Sequence, residues 1–113
     1  MDTLILDTTG EDFGKHAYSQ LAEFSLEAEV KEVKLIDAPG EIARAGAESF
    51  IIIADSSEKF IEPVIDKIIE LEIEKGVIEK VLLDSSGESQ EVFRRRARRE
   101  AGEAAERLAE KMR

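Results

Sequence analysis

Residues 50–55 read FIIIAD, an unbroken apolar run that ends in aspartate. Such a run, without polar alternation, is typical of a strand that is covered on both faces of a parallel sheet. Residues 4–6, LIL, have the same character, whereas residues 31–37, KEVKLID, mix charge with Val33 and Leu35, as an edge strand does. This contrast favours the sheet order 2-1-3-4 over 3-2-1-4, because only the first order makes the strand at 50–55 central.

The whole chain repeats one unit, a short apolar run followed by a polar segment with helical periodicity. This alternation is the pattern of βα units around a parallel sheet, and right-handed crossovers place helices on both faces. The expected fold is a three-layer α/β/α sandwich, (βα)4, with four parallel strands in a single domain over residues 1–113. The predicted strands are 3–7, 31–37, 50–55 and 79–84, and the predicted helices are 11–28, 39–47, 57–75 and 87–112.

Composition limits the classes of protein that this chain can belong to. With 42% hydrophobic residues in 113, the chain can bury one core, and no apolar run approaches the ~20 residues that a membrane span needs. No secretory leader opens the chain, so we expect a cytoplasmic protein. The absence of cysteine excludes disulfides, thiolate metal sites and thiol catalysis.

The net charge of -10 is unevenly distributed. Residues 1–84 carry 8 Lys and Arg against 20 Asp and Glu, whereas residues 85–113 carry 8 against 6. Most of the molecule therefore repels polyanions, and no nucleic-acid partner is expected. The arginines at 94–96 and 98–99 are expected to pair with acidic groups of the same chain. The Glu- and Lys-rich surface is typical of thermophile proteins and of idealised designs, which predicts a thermostable protein.

The helix predicted at 57–75 has an unusually wide apolar face. Its apolar residues cover an arc of roughly 220° at 100° per residue, which indicates either deep burial or contact with another chain. We therefore expect a monomer or a weak homodimer that pairs through this helix. The residues that form the arc are Phe60, Ile61, Val64, Ile65, Ile68, Ile69, Leu71 and Ile73.

Every predicted strand ends in aspartate: Asp7, Asp37, Asp55 and Asp84. In open α/β sheets, ligands bind at the carboxyl ends of the strands, at the topological switch point. With order 2-1-3-4 this point lies between loops 7–12 and 55–58, beside loop 84–89. The candidate ligand-binding residues are Asp7, Thr8, Thr9, Gly10, Asp55, Ser56, Asp84 and Ser85.

A structural role competes with this functional interpretation. Asp, Ser and Thr cap helix N-termini, because their side-chain oxygens accept hydrogen bonds from the free N–H groups of the first turn. Thr8 with Glu11, and Ser85 with Glu88, fit the S/T-x-x-E capping box. The same solution at four strand ends is what capping predicts, since catalytic loops usually differ from their neighbours.

The loop after the first strand is similar to two families. Asp7-Thr8-Thr9-Gly10 resembles the phosphorylated-aspartate motif of the haloacid dehalogenase-like ATPases, which implies Asp7 as a nucleophile. Thr9-Gly10 resembles the phosphate loop of flavodoxins, which implies a phosphate site. Asp7, Glu11 and Asp12 would repel a phosphate there unless a cation intervened.

The strand ends taken together resemble those of response-regulator receiver domains, which share a flavodoxin-like order of βα units. In that resemblance Asp55 is the phosphorylated aspartate and Asp7 is an acid beside the metal. Ser85 or Ser86 supplies the hydroxyl after strand 4. The resemblance implies a Mg²⁺ site with Asp7 and Asp55 as ligands.

The regular βα lengths and repeated loop chemistry resemble those of de novo designed or redesigned Rossmann-like proteins, although His16 and Tyr18 on the first helix resemble a natural thermophile domain. The expected function is that of a stable scaffold without catalysis and without a cofactor. Two alternatives stay open. One is a receiver-like regulatory domain that binds phosphate or Mg²⁺, and the other is a homodimerising module that pairs through helix 57–75.

Overall fold

A computed structural model describes residues 2–112, in which four strands alternate with four α-helices. The strands form one parallel sheet in the order β2-β1-β3-β4. This confirms the predicted (βα)4 fold and the order 2-1-3-4. In chain order the elements are β1 (Thr3–Asp7), α1 (Gly14–Glu23), β2 (Ala28–Glu32), α2 (Ala38–Arg44), β3 (Ser49–Asp55), α3 (Ile61–Lys75), β4 (Val77–Leu83) and α4 (Gln90–Lys111).

Side chains of the two central strands, β1 and β3, pack into a hydrophobic core on each face of the sheet. Ile5 and Ile51 face α1 and α4, where the rings of Phe13 and Phe93 meet edge to face with centroids 5.9 Å apart. Leu4, Leu6, Phe50 and Ile52 pack against α2 and α3 on the opposite face. Since successive strand residues point to opposite faces, a strand with both faces covered needs apolar residues along its middle, as at Leu4, Ile5 and Leu6. The buried residues at its two ends, Thr3 and Asp7, have hydrogen-bond partners.

The second strand lies earlier in the chain than predicted. β2 covers Ala28–Glu32 rather than 31–37, because Ala28 pairs with Thr3 at the start of β1. The chain then leaves the sheet in a 3₁₀ turn, Leu35–Asp37, which buries Leu35 against the layer of α2 and α3. Asp37 therefore precedes α2, and the prediction that it ends a strand is wrong.

The helices are shorter than their periodicity indicated. α1 does not begin at residue 11 because Asp12 has a φ of 59°, and it ends before Ser25, whose φ is 60°; left-handed residues do not continue a right-handed helix. Turns occupy the start of the helix predicted at 57–75. Gly76, with a φ of 91°, ends α3 as predicted. None of the helices within residues 2–112 combines the length and apolarity needed to cross a membrane.

Candidate functional site

A cleft of about 370 Å³ opens at the carboxyl end of the sheet, between the loops that follow β1, β3 and β4. It lies at the predicted switch point, where the connections from the two central strands diverge. Loop side chains and the first turns of α4 form its walls. The lining residues are Thr9, Glu11, Asp55, Glu58, Ser85, Glu88, Gln90 and Phe93.

One turn is built three times at this edge, with the sequence Asp-x-Ser or Asp-x-Thr. In each copy the aspartate Oδ1 accepts hydrogen bonds from the N–H and the hydroxyl two residues later, as in an Asx turn. The N–H distances are 2.9 Å for Thr9, Ser57 and Ser86, and the hydroxyl distances are 2.6, 2.7 and 2.6 Å. The three aspartates therefore share one local role, and they differ in what else they contact.

Asp7 is turned into the protein. Asp7 is 1% exposed. Its Oδ2 accepts a hydrogen bond at 3.0 Å from the N–H of Gly14, the first residue of α1. With the two bonds from Thr9, both carboxylate oxygens have partners. A carboxylate is stabilised at this position because the helix N-terminus carries a partial positive charge. Asp7 does not line the cleft.

Asp55 links two of the loops. Besides the bonds from Ser57, its Oδ2 accepts a hydrogen bond from Ser85 Oγ at 2.5 Å, and its Oδ1 accepts one from Ser85 N at 3.4 Å. Burial opposes ionisation of Asp55, but the hydroxyl and amide donors of Ser85 and Ser57 together lower the pKa of its carboxyl below the usual value. Asp55 therefore stays an anion at neutral pH.

Asp84 is exposed, and its carboxylate accepts hydrogen bonds from Ser86 of its own turn. The hydroxyl and N–H of Ser86 lower the pKa of its carboxyl, while its main-chain oxygen accepts a hydrogen bond from Arg96 at 2.9 Å. Its side chain does not reach the cleft.

Of the remaining candidate ligand-binding residues, some line the cleft and others do not. Thr9 and Ser85 line the cleft, whereas Thr8 donates its hydroxyl to Ile53 O at 2.8 Å and continues the sheet. Gly10 adopts a φ of 75° in the turn, and Ser56 donates its N–H to Leu83 O between β3 and β4. Three of the eight candidates, Thr9, Asp55 and Ser85, thus lie together in the cleft.

Both predicted capping boxes are wrong. Asp7, not Thr8, accepts the hydrogen bond at the start of α1, and Ser89 caps α4 by accepting a hydrogen bond from Val92 N at 3.3 Å. The two glutamates of the predicted boxes line the cleft instead. Sequence reasoning missed them as lining residues because the capping motif assigned them to the helix ends.

Arginines of α4 form ion pairs with two of the glutamates that line the cleft. Glu11 pairs with Arg94 at 2.9 Å and Glu88 pairs with Arg96 at 2.5 Å. Other arginines of the cluster pair along the helix, as Arg95 does with Glu91 at 3.1 Å. These contacts agree with the expectation that the arginine cluster serves pairing within the chain.

The geometry offers little to a metal ion or a phosphate. Within residues 2–112, no group of three or more His, Asp or Glu side chains is arranged to hold a metal ion. The structure brings Asp55 and Ser85 together, but it does not bring Asp7 into the same cleft. The loop after β1 does not fit a phosphate, because Asp7 already takes the N–H and hydroxyl of Thr9 and the N–H of Gly14.

His16 on α1 is half-buried. Burial lowers the pKa of its imidazole, and the nearby charges of Arg98 and Lys15 lower it further, against a smaller opposite effect of Asp12. These effects favour the uncharged ring.

Comparisons with known proteins bear on the fold. No family model matches the chain, and no curated protein matches it. Among solved structures, the chain is similar to oxidised Flavodoxin 2 from Bacillus cereus, with a TM-score of 0.55 and 15% sequence identity over 98% of this chain and 99% of that one. At this identity the likeness shows a flavodoxin-like fold and nothing about activity.

Proposed function

We infer that this chain is a stable α/β scaffold without catalytic activity, of designed or redesigned origin, that works without a cofactor. A cytoplasmic location and the absence of nucleic-acid partners belong to the same proposal. The observation that carries it is the hydrogen bonding of the strand-end carboxylates, each of which is held by its own turn. Three copies of one turn serve the three loops, and this repetition supports a structural origin of the motif.

Hydrogen bonds to a carboxylate stabilise its charged form and make it a weaker base and a weaker nucleophile. A general base must reach the proton that it removes, and a nucleophile needs such a base beside it. Asp7 has no free carboxylate oxygen, and both oxygens of Asp55 accept from serines. Ser85 donates its hydroxyl to a carboxylate, but the contact contains no imidazole to relay the proton.

A Mg²⁺ titration tests the scaffold proposal against the receiver-like alternative. The ¹⁵N-labelled protein would receive millimolar Mg²⁺ and then beryllofluoride, a phosphoryl analogue, while amide shifts are followed. We expect no saturable change. Shifts confined to loops 7–12, 55–58 and 84–89, lost in Asp55→Asn but kept in Asp84→Asn, would establish the receiver-like site and overturn the proposal.

A second candidate function is self-association through α3. Ile73 is 93% exposed and Ile69 is 49% exposed on that helix, so the apolar arc is only partly used inside the chain. Burial of such side chains is the usual driving force of association. The test is sedimentation equilibrium of wild type, Ile73→Glu and the control Val92→Glu, which alters an exposed apolar residue of α4.

We expect a weak dimer in wild type and Val92→Glu, and a monomer in Ile73→Glu. A wild-type protein that stays monomeric up to millimolar concentration removes this candidate.

A further inference from the structure

The outer edge of β4 borders an apolar stripe that the chain itself leaves uncovered. Leu82 lies on the sheet face that carries α3, yet it is 44% exposed. A cleft between α3 and the edge strand separates it from Ile61 and Ile65. Ile69 and Ile73 follow Ile65 at steps of four residues along α3, and each step turns the stripe by about 40° away from the sheet, so that Ile69 is 49% and Ile73 93% exposed. We call Leu82, Ile65, Ile69, Ile73 and the free edge of β4 the β4 surface.

The main-chain groups of β4 show which residues form its free edge. Leu83 O accepts a hydrogen bond from Ser56 N, on the side of β3. Because main-chain groups alternate in direction along a strand, those of Ile78, Lys80 and Leu82 point away from the sheet. In the described part of the chain, one contact reaches them, from Lys80 Nζ to Ile78 O at 3.4 Å. Such a row of free donors and acceptors is a template for another strand.

Charges on β4 are already paired within the chain. Glu79 lies 2.5 Å from Lys111 Nζ and 3.3 Å from Arg107 Nε on the face of α4. Lys80 pairs with Glu72 on the face of α3. Both side chains lie over the sheet faces, so strand pairing along this edge brings no unpaired charge into contact.

We propose that a second copy of this chain docks on the β4 surface, with the two β4 strands antiparallel about a two-fold axis. This inference rests on the proposed self-association through α3 and adds the strand edge to it. A two-fold axis perpendicular to the sheet sets identical strands side by side and brings both α3 stripes to the same face. The product is one continuous sheet of eight strands, since each copy contributes four.

The other edge of the sheet does not offer a comparable surface. β2 presents Glu29, Lys31 and Glu32 as exposed side chains, and within residues 2–112 none of the exposed large apolar side chains lies on β2 itself. The apolar part of the β4 surface consists of four side chains, whereas a stable complex uses about 20–30 residues from each partner, so the dimer is expected to be weak. A net charge of -10 on each copy opposes docking, and added salt is expected to strengthen it.

A proline at an outward-facing position of β4 tests the strand edge. Lys80→Pro removes one outward N–H and leaves the hydrogen bonds to β3 in place, because proline is tolerated where the N–H faces away from the sheet. Lys80→Ala is the matched control, since it removes the same side chain and its ion pair but keeps the N–H. In sedimentation equilibrium we expect Lys80→Pro to weaken the dimer at least tenfold relative to Lys80→Ala.

A second measurement uses the unaltered protein. Amide hydrogen exchange of Ile78, Lys80 and Leu82 should slow as wild-type concentration rises, while the exposed loop amide of Gly87 stays unchanged. If wild type dimerises and Ile73→Glu abolishes this, but Lys80→Pro equals Lys80→Ala and these amides gain no protection, the strand-edge inference fails and the α3 candidate stands.

A monomeric wild type overturns both ideas. A monomer that binds a synthetic peptide of residues 77–83 at these amides would assign the edge to an extended peptide instead of a second copy.

Discussion

Replacement of Asp7 by asparagine should destabilise the fold far more than the same change in the two sister turns. Asparagine is nearly isosteric and forms Asx turns, so the turn itself can persist. Its amide offers one acceptor oxygen, however, whereas Asp7 accepts at both oxygens, from Thr9 and from Gly14. One of the two sets of donors must lose its partner in Asp7→Asn.

The size of the loss follows from burial. Gly14 is buried, and an unpaired buried N–H costs about 1–3 kcal/mol. Loss of the negative charge at the start of α1 adds about 0.3–1 kcal/mol. We therefore expect Asp7→Asn to lower the free energy of unfolding by about 1–4 kcal/mol. With a urea slope of about 2 kcal/mol per M, the unfolding midpoint falls by about 0.6–2 M.

The assay is urea unfolding at neutral pH, followed by far-ultraviolet circular dichroism, for the three matched asparagine variants. Asp55→Asn should cost about 1 kcal/mol, since solvent screens its half-exposed hydrogen bonds with Ser57 and Ser85. Asp84→Asn should leave the midpoint unchanged, because its carboxylate is exposed. Equal midpoints for Asp7→Asn and Asp84→Asn would refute the view that the carboxylate of Asp7 holds the start of α1.

Three further outcomes are expected. Gly14→Ala should lower the free energy of unfolding by about 1 kcal/mol in the same urea assay, although alanine has the better helix propensity, because the new Cβ would lie 2.8 Å from Val30 Cγ1. The same substitution in a Val30→Ala background should carry no such cost. A cost that persists there contradicts the steric cause. Burial opposes ionisation of Glu79, but its hydrogen-bonding partners on α4 hold its pKa below the usual value. Ionised Glu79 therefore contributes its full stability above the ordinary carboxyl pKa of about 4.3, and this contribution is lost as pH falls through the lowered pKa of the folded protein. When the free energy of unfolding is measured from pH 6 to 2, it should fall less steeply in Glu79→Gln than in wild type. Ser85→Ala should raise the pKa of Asp55 by removing a hydroxyl donor, as followed by ¹³C NMR of the carboxyl, and an unchanged pKa would show that the Ser85 hydroxyl does not lower it.

Strand character was a reliable guide to the sheet order because residues 4–6 and 50–54 are apolar without interruption, as burial on both faces favours. FIIIAD at 50–55 therefore indicated a central strand and the order 2-1-3-4 before any contact was known. The helix ends were less predictable. Asp12 and Ser25 take left-handed conformations that apolar periodicity does not reveal. The hydrogen bond expected from the capping motif of Thr8 and Glu11 is made instead by the carboxylate of Asp7, seven residues before the first residue of α1.

The candidate site was likewise predictable in part: its place in the fold was, and the contacts of its residues were not. Sequence placed loops 7–12, 55–58 and 84–89 at one edge, because the carboxyl ends of parallel strands must meet there. It also predicted that four strand ends are alike, which holds for the turns at Asp7, Asp55 and Asp84 and is wrong for Asp37. Only the packed fold made them different, since it buried Asp7 under α1, joined Asp55 to Ser85 across two loops and left Asp84 in solvent.

By itself, then, the sequence determined the sheet order and the edge at which these turns lie, because local apolar patterns record how many faces of a strand are covered. Tertiary structure decided which of the turns faces the core, which faces the cleft and which side of α3 stays uncovered beside β4. Those outcomes depend on contacts between residues far apart in the chain, such as the 2.5 Å bond from Ser85 to Asp55. No local pattern around either residue contains that information.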